Sequence, residues 1–154
     1  MKKFLACALL FVMMFSVLVS CDSGKSIDLD DAKKTLEAEG YEVELITVPE
    51  KTNDILEDVT DYIDIEFEGG VEKALTAMKM DLKGEDKGIE SVSVVQFEKE
   101  ADAKKLVDAY DDMMDALKEE LGDAADSAMM DAMVIKRAGK SVISGTKAAV
   151  DLID

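Results

Sequence analysis

The sequence contains no histidine, no tryptophan, one proline (Pro49) and one arginine (Arg137). Without histidine, the protein lacks the commonest general base near neutral pH and the usual ligand of zinc and copper. It also has only two cysteines, Cys7 and Cys21. These absences remove the catalytic groups of most familiar hydrolases and redox enzymes, so we expect a protein that is not an enzyme and carries no metal or other cofactor.

Basic residues are scarce compared with acidic ones. The chain has 18 Lys and Arg against 35 Asp and Glu, which gives a formal net charge of −17. Nucleic-acid binding requires clustered cations that neutralise phosphates, so we expect no nucleic-acid partner. Anionic lipid headgroups would repel the protein for the same reason.

The first 20 residues have the pattern of an export signal. Met1-Lys2-Lys3 is cationic, and the run from Phe4 to Val19 is uncharged, with Ser16 as its only polar residue. As a helix this run covers about 24 Å, less than the ~30 Å hydrocarbon core that a spanning helix must cross. The pattern predicts a signal helix that is cleaved, rather than a permanent membrane span.

The apolar run ends with Leu18-Val19-Ser20-Cys21, which resembles the lipobox of bacterial lipoproteins. The resemblance implies cleavage between Ser20 and Cys21 and fatty acyl chains, such as palmitate, attached through Cys21. It therefore implies a protein on the extracytoplasmic face of the cell membrane, held to its membrane partner by lipid. The alternative is an ordinary secretory signal, which would leave Cys21 as the sole thiol of an exported protein.

We expect three segments: a signal peptide over residues 1–20, a lipidated Cys21 with a short polar tether over residues 21–25, and one acidic domain over residues 26–154. Because Cys7 leaves with the signal, the domain can form no internal disulfide. Its few aromatic residues predict an aliphatic, methionine-rich core.

Hydrophobic periodicity predicts alternating helices and strands within this domain. We expect a single small α+β domain with a mainly antiparallel sheet and helices packed on one face. Residues 50–60 are ambiguous, and residues 71–80 fit either a helix or a strand. The predicted elements are a helix from Asp28 that stops at Gly40, strands over Tyr41 to Val48, Tyr62 to Glu68 and Ser91 to Phe97, a helix over Glu100 to Leu121 closed by Gly122, a hairpin joining Met133–Arg137 to Lys140–Ser144, and a last helix capped by Thr146.

The long helix has two contrasting faces at 100° per residue. The buried face is predicted to contain Ala103, Leu106, Val107, Tyr110, Met113, Met114 and Leu117. On the far side, a stripe of carboxylates could bind Ca²⁺ or a cationic partner, but Lys104 and Lys105 favour a solvated, partly paired face. The stripe contains Asp108, Asp111, Asp112, Asp115 and Glu119.

Three short patterns resemble known motifs without completing them. Ser144-Gly-Thr-Lys147 fits the S-x-x-K pattern of penicillin-interacting enzymes, whose other elements are absent. Gly139-Lys140-Ser141 resembles the end of a P-loop that lacks its leading glycine. Asp31-Ala-Lys-Lys recurs at Asp102, and the ordinary charge pattern of a helix start explains the repeat more simply than duplication does.

From Phe97-Glu98 to Gly145-Thr146-Lys147 the chain is similar to small uncharacterised bacterial lipoproteins, which implies no particular activity. Our leading hypothesis is a lipid-anchored, non-enzymatic binding or interaction module. One alternative is a domain that binds a small ligand or cation with its acidic surface. A further alternative is a carboxylate-dependent hydrolase of envelope glycans, for which no pair of acids stands out. The sequence leaves open the protein or small-ligand partner, the oligomeric state and which membrane carries the protein.

Overall fold

The computed structural model describes residues 25–63, 65–81, 88–121 and 133–153, so the predicted signal peptide and Cys21 lie outside the described residues. Within these ranges no helix has both the length and the apolar character needed to cross a membrane. The described helices are α1 (Leu29–Ala38), α2 (Pro49–Ile63), α3 (Glu100–Leu121) and α4 (Lys147–Val150), and the strands are β1 (Glu42–Ile46), β2 (Val71–Asp81), β3 (Gly88–Phe97), β4 (Met133–Ala138) and β5 (Ser141–Thr146).

The five strands form one sheet in the order β1-β2-β3-β5-β4, and every neighbouring pair is antiparallel. The two-residue turn Gly139-Lys140 joins β4 to β5, and Gly139 has a φ of +55° that suits glycine. The prediction of a single small α+β domain with an antiparallel sheet is confirmed. The open question over residues 71–80 is also answered, because they form most of β2.

Helices cover both faces of the sheet, so the predicted arrangement with helices on one face only is wrong. Alternate residues of the central strands enter two separate hydrophobic clusters, because β2, β3 and β5 are apolar on both sides. In β3, for example, Val94 packs under α1 and α4, whereas Val95 packs under α2 and α3. A sheet that is apolar on both sides requires cover on both.

The first helix forms as the sequence predicts. Asp28 is its N-cap, and its carboxylate accepts hydrogen bonds from the backbone N–H groups of Asp30 at 3.0 Å and Asp31 at 3.2 Å. Gly40 follows the helix with a φ of +86°, a left-handed conformation that favours glycine. The predicted apolar face of Leu29, Ala32 and Leu36 is buried.

The predicted strand over Tyr62 to Glu68 is wrong. Residues 50–60, which the sequence left ambiguous, belong to α2, and Pro49 is its first residue, where proline needs no hydrogen-bond donor. Residues 65–70 are irregular backbone. Their sequence alternates between apolar and polar residues because Phe67 points inward and stacks on Phe97, with ring centroids 5.3 Å apart. The segment pairs with no strand among the described residues.

The C-terminal half matches its prediction closely. Helix α3 has the predicted bounds. Five of its seven predicted core residues are buried, and Met113 is partly buried. The side chain of Leu117 and the predicted stop at Gly122 lie outside the described residues. The β4–β5 hairpin is confirmed. Thr146 occupies the N-cap position of α4 but makes no capping hydrogen bond, because its hydroxyl instead bonds the backbone of Ser91.

Gly145 is the position where the sheet leaves no room for a side chain. A Cβ there would lie 2.3 Å from the carbonyl oxygen of Ser91 and 2.7 Å from the Cα of Val92. We expect Gly145→Ala to lower the free energy of unfolding by about 3 kcal/mol, because backbone atoms of β3 must move. Urea denaturation measures the change.

Gly70→Ala is the matched control, since a Cβ at Gly70 would meet its nearest atom, on Glu98, at an ordinary 3.4 Å. We expect it to cost less than about 1 kcal/mol. Equal losses in the two variants would contradict the close contact between β5 and β3.

Candidate functional site

A buried carboxylate lies at the start of α3. Asp102 is 0% exposed, and its two oxygens accept hydrogen bonds from the backbone N–H groups of Glu68 at 2.9 Å and Gly69 at 2.8 Å. The ammonium of Lys105 lies 3.8 Å away. An acid is favourable in the first turn of a helix, and these charge-assisted bonds compensate for its burial. Asp102 thereby holds the irregular segment 65–70 against α3.

Glu98 reinforces the same contact from the end of β3. Its carboxylate accepts a hydrogen bond from the N–H of Gly70 at 2.9 Å, and its own N–H donates to the Gly70 carbonyl at 2.9 Å. A Cβ on Gly69 would lie 3.2 Å from carboxylate oxygens of both Asp102 and Glu98. We call the segment 66–70 together with Glu98 and Asp102 the α3 clamp.

Surface ion pairs surround the α3 clamp. Glu68 receives hydrogen bonds from Lys105 at 3.2 Å and Lys99 at 3.5 Å. The bond from Lys105, followed by the one from Lys99, lowers the pKa of Glu68 below its ordinary value. These pairs are exposed and contribute little stability. Because both oxygens of Asp102 accept backbone N–H groups, the α3 clamp holds segment 66–70 against the start of α3.

Among the described residues, the two most exposed large apolar side chains lie at the other end of the sheet. β2 and β3 extend beyond their neighbours, since β1 pairs with β2 only as far as Met78 and β5 pairs with β3 only as far as Val92. We call residues 79–81 and 88–90 the β2–β3 overhang. Met80 and Ile89 are directly opposed there and are 59% and 61% exposed. They form a small apolar patch on the face that α2 and α3 cover further along the sheet.

On its opposite face, the β2–β3 overhang contacts Tyr41 through Glu90 and Lys79. The Tyr41 side chain is buried, its hydroxyl donates to Glu90 Oε2 at 2.5 Å, and the ammonium of Lys79 lies 5.3 Å from its ring centroid. Burial, and then the hydrogen bond to Glu90, raises the pKa of Tyr41 above its ordinary value. This contact fastens the β2–β3 overhang to the corner between α1 and β1.

The carboxylates predicted as a cation site lie on the exposed face of α3. Asp108, Asp111, Asp112 and Asp115 are all exposed, and Asp108 pairs with Lys104 one turn earlier. Among the described residues, no group of three acidic or cysteine side chains is arranged to hold a metal ion. The structure therefore places these acids on one stripe but does not gather them into a coordination site.

Ser144 and Lys147 of the S-x-x-K pattern have separate surroundings. Ser144 is fully buried in β5 opposite Ser93, and its hydroxyl has no hydrogen-bond partner within the described part of the chain. The ammonium of Lys147 is exposed and pairs with Asp151 at 2.6 Å. Gly139-Lys140 of the P-loop-like pattern forms the β4–β5 turn. The predicted lipidation residue Cys21 and its neighbour Ser20 lie outside the described residues.

No protein-family model, curated protein or solved structure matches the chain. Sequence reasoning missed the α3 clamp, the contact between Tyr41 and Glu90, and the pair of Met80 with Ile89. The glycines at 69 and 70 were a usable signal for the clamp, because adjacent glycines often mark a close approach of the backbone to another group.

Asp102 is predicted to contribute far more stability than an exposed acid on the same helix. Asp102→Ala leaves the N–H groups of Glu68 and Gly69 without their acceptor, so we expect the free energy of unfolding to fall by about 3 kcal/mol. Asp108→Ala should change it by less than about 0.5 kcal/mol, because that side chain is exposed. Chemical denaturation of the two variants makes the comparison, and equal effects would contradict the role of the α3 clamp.

The raised pKa of Tyr41 predicts that the protein loses stability at high pH. Because its folded pKa lies above the ordinary value of 10.0, its contribution is fully present below pH 10.0 and is lost as the pH rises toward the folded pKa. We expect the free energy of unfolding to fall more steeply above pH 10 in the native protein than in Tyr41→Phe. Denaturation at a series of pH values gives both curves.

Glu90→Gln provides the control. Since burial is the largest cause of the shift, this change should lower the pKa of Tyr41 only in part. Ultraviolet titration of tyrosinate formation, with Tyr41→Phe as the reference, measures that pKa. A Tyr41 that titrates at its ordinary value in the folded protein would show that the buried contact is absent.

Proposed function

We propose that the protein is a bacterial lipoprotein whose folded domain works as a non-enzymatic interaction module at the extracytoplasmic face of the cell membrane. One observation carries the proposal: Leu18-Val19-Ser20-Cys21 follows a cationic start and an uncharged apolar run in the correct order. Each of the three parts is common alone. Their succession within 21 residues is what favours lipidation over a simple secretory signal.

The folded domain is compatible with this attachment. Ser26, whose hydroxyl accepts a hydrogen bond from the N–H of Lys140, is five residues after Cys21, so only a short tether separates the proposed lipid from this contact. A single acyl chain anchors a protein marginally, whereas two or three anchor it durably at about 0.8 kcal/mol per buried CH₂. The domain itself then requires no surface that inserts into the bilayer.

The arrangement of the acidic groups supports an interaction role over catalysis. Asp102 is occupied by two backbone donors, Glu68 by two lysines, and Glu90 accepts the hydroxyl of Tyr41. Ser144 is buried away from solvent. These groups maintain the fold, and the surface that remains is a strongly acidic one suited to recognition.

Replacing Cys21 tests the anchor. We expect the native protein to incorporate a palmitate analogue and to float with membranes in a density gradient, and Cys21→Ser to lose both properties. Cys7→Ser is the matched control and should behave as the native protein, because Cys7 is predicted to be removed with the signal.

Mass spectrometry of the native protein separates the remaining outcomes. An acylated chain that begins at Cys21 supports the proposal. A chain cut before Cys21 but carrying a free thiol would mean secretion without an anchor. An unmodified chain that still begins at Met1 in the cell interior would contradict both export and lipidation.

A further inference from the structure

The chain enters the folded domain against the β4–β5 turn. The hydroxyl of Ser26 accepts a hydrogen bond from the N–H of Lys140 at 3.0 Å, and the carbonyl of Ile27 accepts one from the side-chain amide of Gln96 at 3.3 Å. A Cβ on Gly139 would lie 2.7 Å from the hydroxyl oxygen and 2.8 Å from the backbone nitrogen of Ser26. Ser26 is therefore fastened closely to this turn.

The length of chain before Ser26 limits where the proposed lipid can be. Ser26 is five residues after Cys21. A fully extended chain spans at most about 3.5 Å per residue, so Cys21 lies within roughly 17 Å of Ser26. Such a short tether brings the end of the sheet that carries the β4–β5 turn close to the bilayer.

The β2–β3 overhang lies at the opposite end of the sheet. The N–H of Phe97, at the end of β3, donates to the carbonyl of Lys140 at 2.9 Å, so β3 ends beside the β4–β5 turn. From Phe97 back to Gly88 the strand has 10 residues. At about 3.3 Å per residue, the overhang is roughly 30 Å further from the tether.

Charge is distributed unequally between these two ends. Near the β4–β5 turn, cations and acids balance: Arg137 pairs with Glu100 at 2.7 Å, and Lys140 lies 3.7 Å from Glu72. Residues 98–107 contain three acids and three bases, whereas residues 108–121, further along α3, contain six acids and one base. An anionic headgroup layer repels the second half of α3 more strongly than its start.

We infer that the domain stands on the membrane with its β4–β5 turn toward the lipid headgroups and its β2–β3 overhang directed away from them. The inference rests on the proposed lipid anchor at Cys21. The contacts of Ser26 fix the point at which the tether leaves the domain beside the β4–β5 turn, and the balanced charges near the turn reduce repulsion by the headgroups. Any partner in solution then meets the overhang and the acidic half of α3 first.

The test compares two positions for a fluorescent dye on the lipidated protein in vesicles of phosphatidylcholine and phosphatidylglycerol that contain a headgroup-linked quencher. Lys140→Cys places a thiol near the turn, and Ile89→Cys places one on the overhang; both side chains are substantially exposed. With Cys21 acylated, each introduced thiol is the only one available. We expect several-fold stronger quenching at position 140 than at position 89.

A second pair, Lys99→Cys and Met80→Cys, repeats the comparison at independent exposed positions.

Lengthening the tether is the control: a flexible Gly/Ser insertion of about 20 residues between Ser23 and Gly24 should reduce the difference in quenching, because the reach of such a linker grows with its length. Equal quenching at both ends with the native tether, or stronger quenching at the overhang, would overturn the orientation while leaving the anchor intact. Protein that fails to float with the vesicles would instead overturn the anchor and, with it, the orientation.

Discussion

The structure depends on a sheet whose central strands are apolar on both sides. Val94 and Val95, adjacent in β3, belong to different hydrophobic clusters, and the same alternation separates Ala74 from Leu75 in β2. A protein with no disulfide available to its folded part must obtain its stability by covering both surfaces. The long helix α3 covers one side together with α2, whereas the short helices α1 and α4 cover the other.

Much of this fold could be predicted from local patterns, and the exceptions have identifiable physical causes. Helix α3 and the β4–β5 hairpin were predictable because their signals are continuous: a regular apolar face in the first case and a glycine turn between two strands in the second. The segment 65–70 was misread because Phe67 points inward from irregular backbone, and inward side chains give the same alternation whether or not a neighbouring strand exists. The arrangement on two faces was missed because a short apolar run does not show how many sides of a strand are covered.

The candidate surfaces were harder to predict because they depend on distant contacts. Asp31 and Asp102 begin the same four-residue sequence near a helix start, yet Asp31 is exposed and Asp102 is fully buried. The difference comes from Glu68 and Gly69, which approach α3 from more than 30 residues earlier in the chain. In the same way, Tyr41 finds its partner Glu90 only when the sheet has formed. No local rule distinguishes these outcomes, whereas the exposed acids of α3 were recognisable from helical spacing alone.

The hydrogen bond that holds Ser26 has a consequence for the order in which the domain folds. Its hydrogen-bond donor, Lys140, lies 114 residues later in the chain. Ser26 therefore has no hydrogen-bond donor to dock against until the final hairpin has been synthesised. The residues just before α1 are thus synthesised early but gain this tertiary contact only after the last hairpin is in place, so the domain closes around its own beginning late in folding.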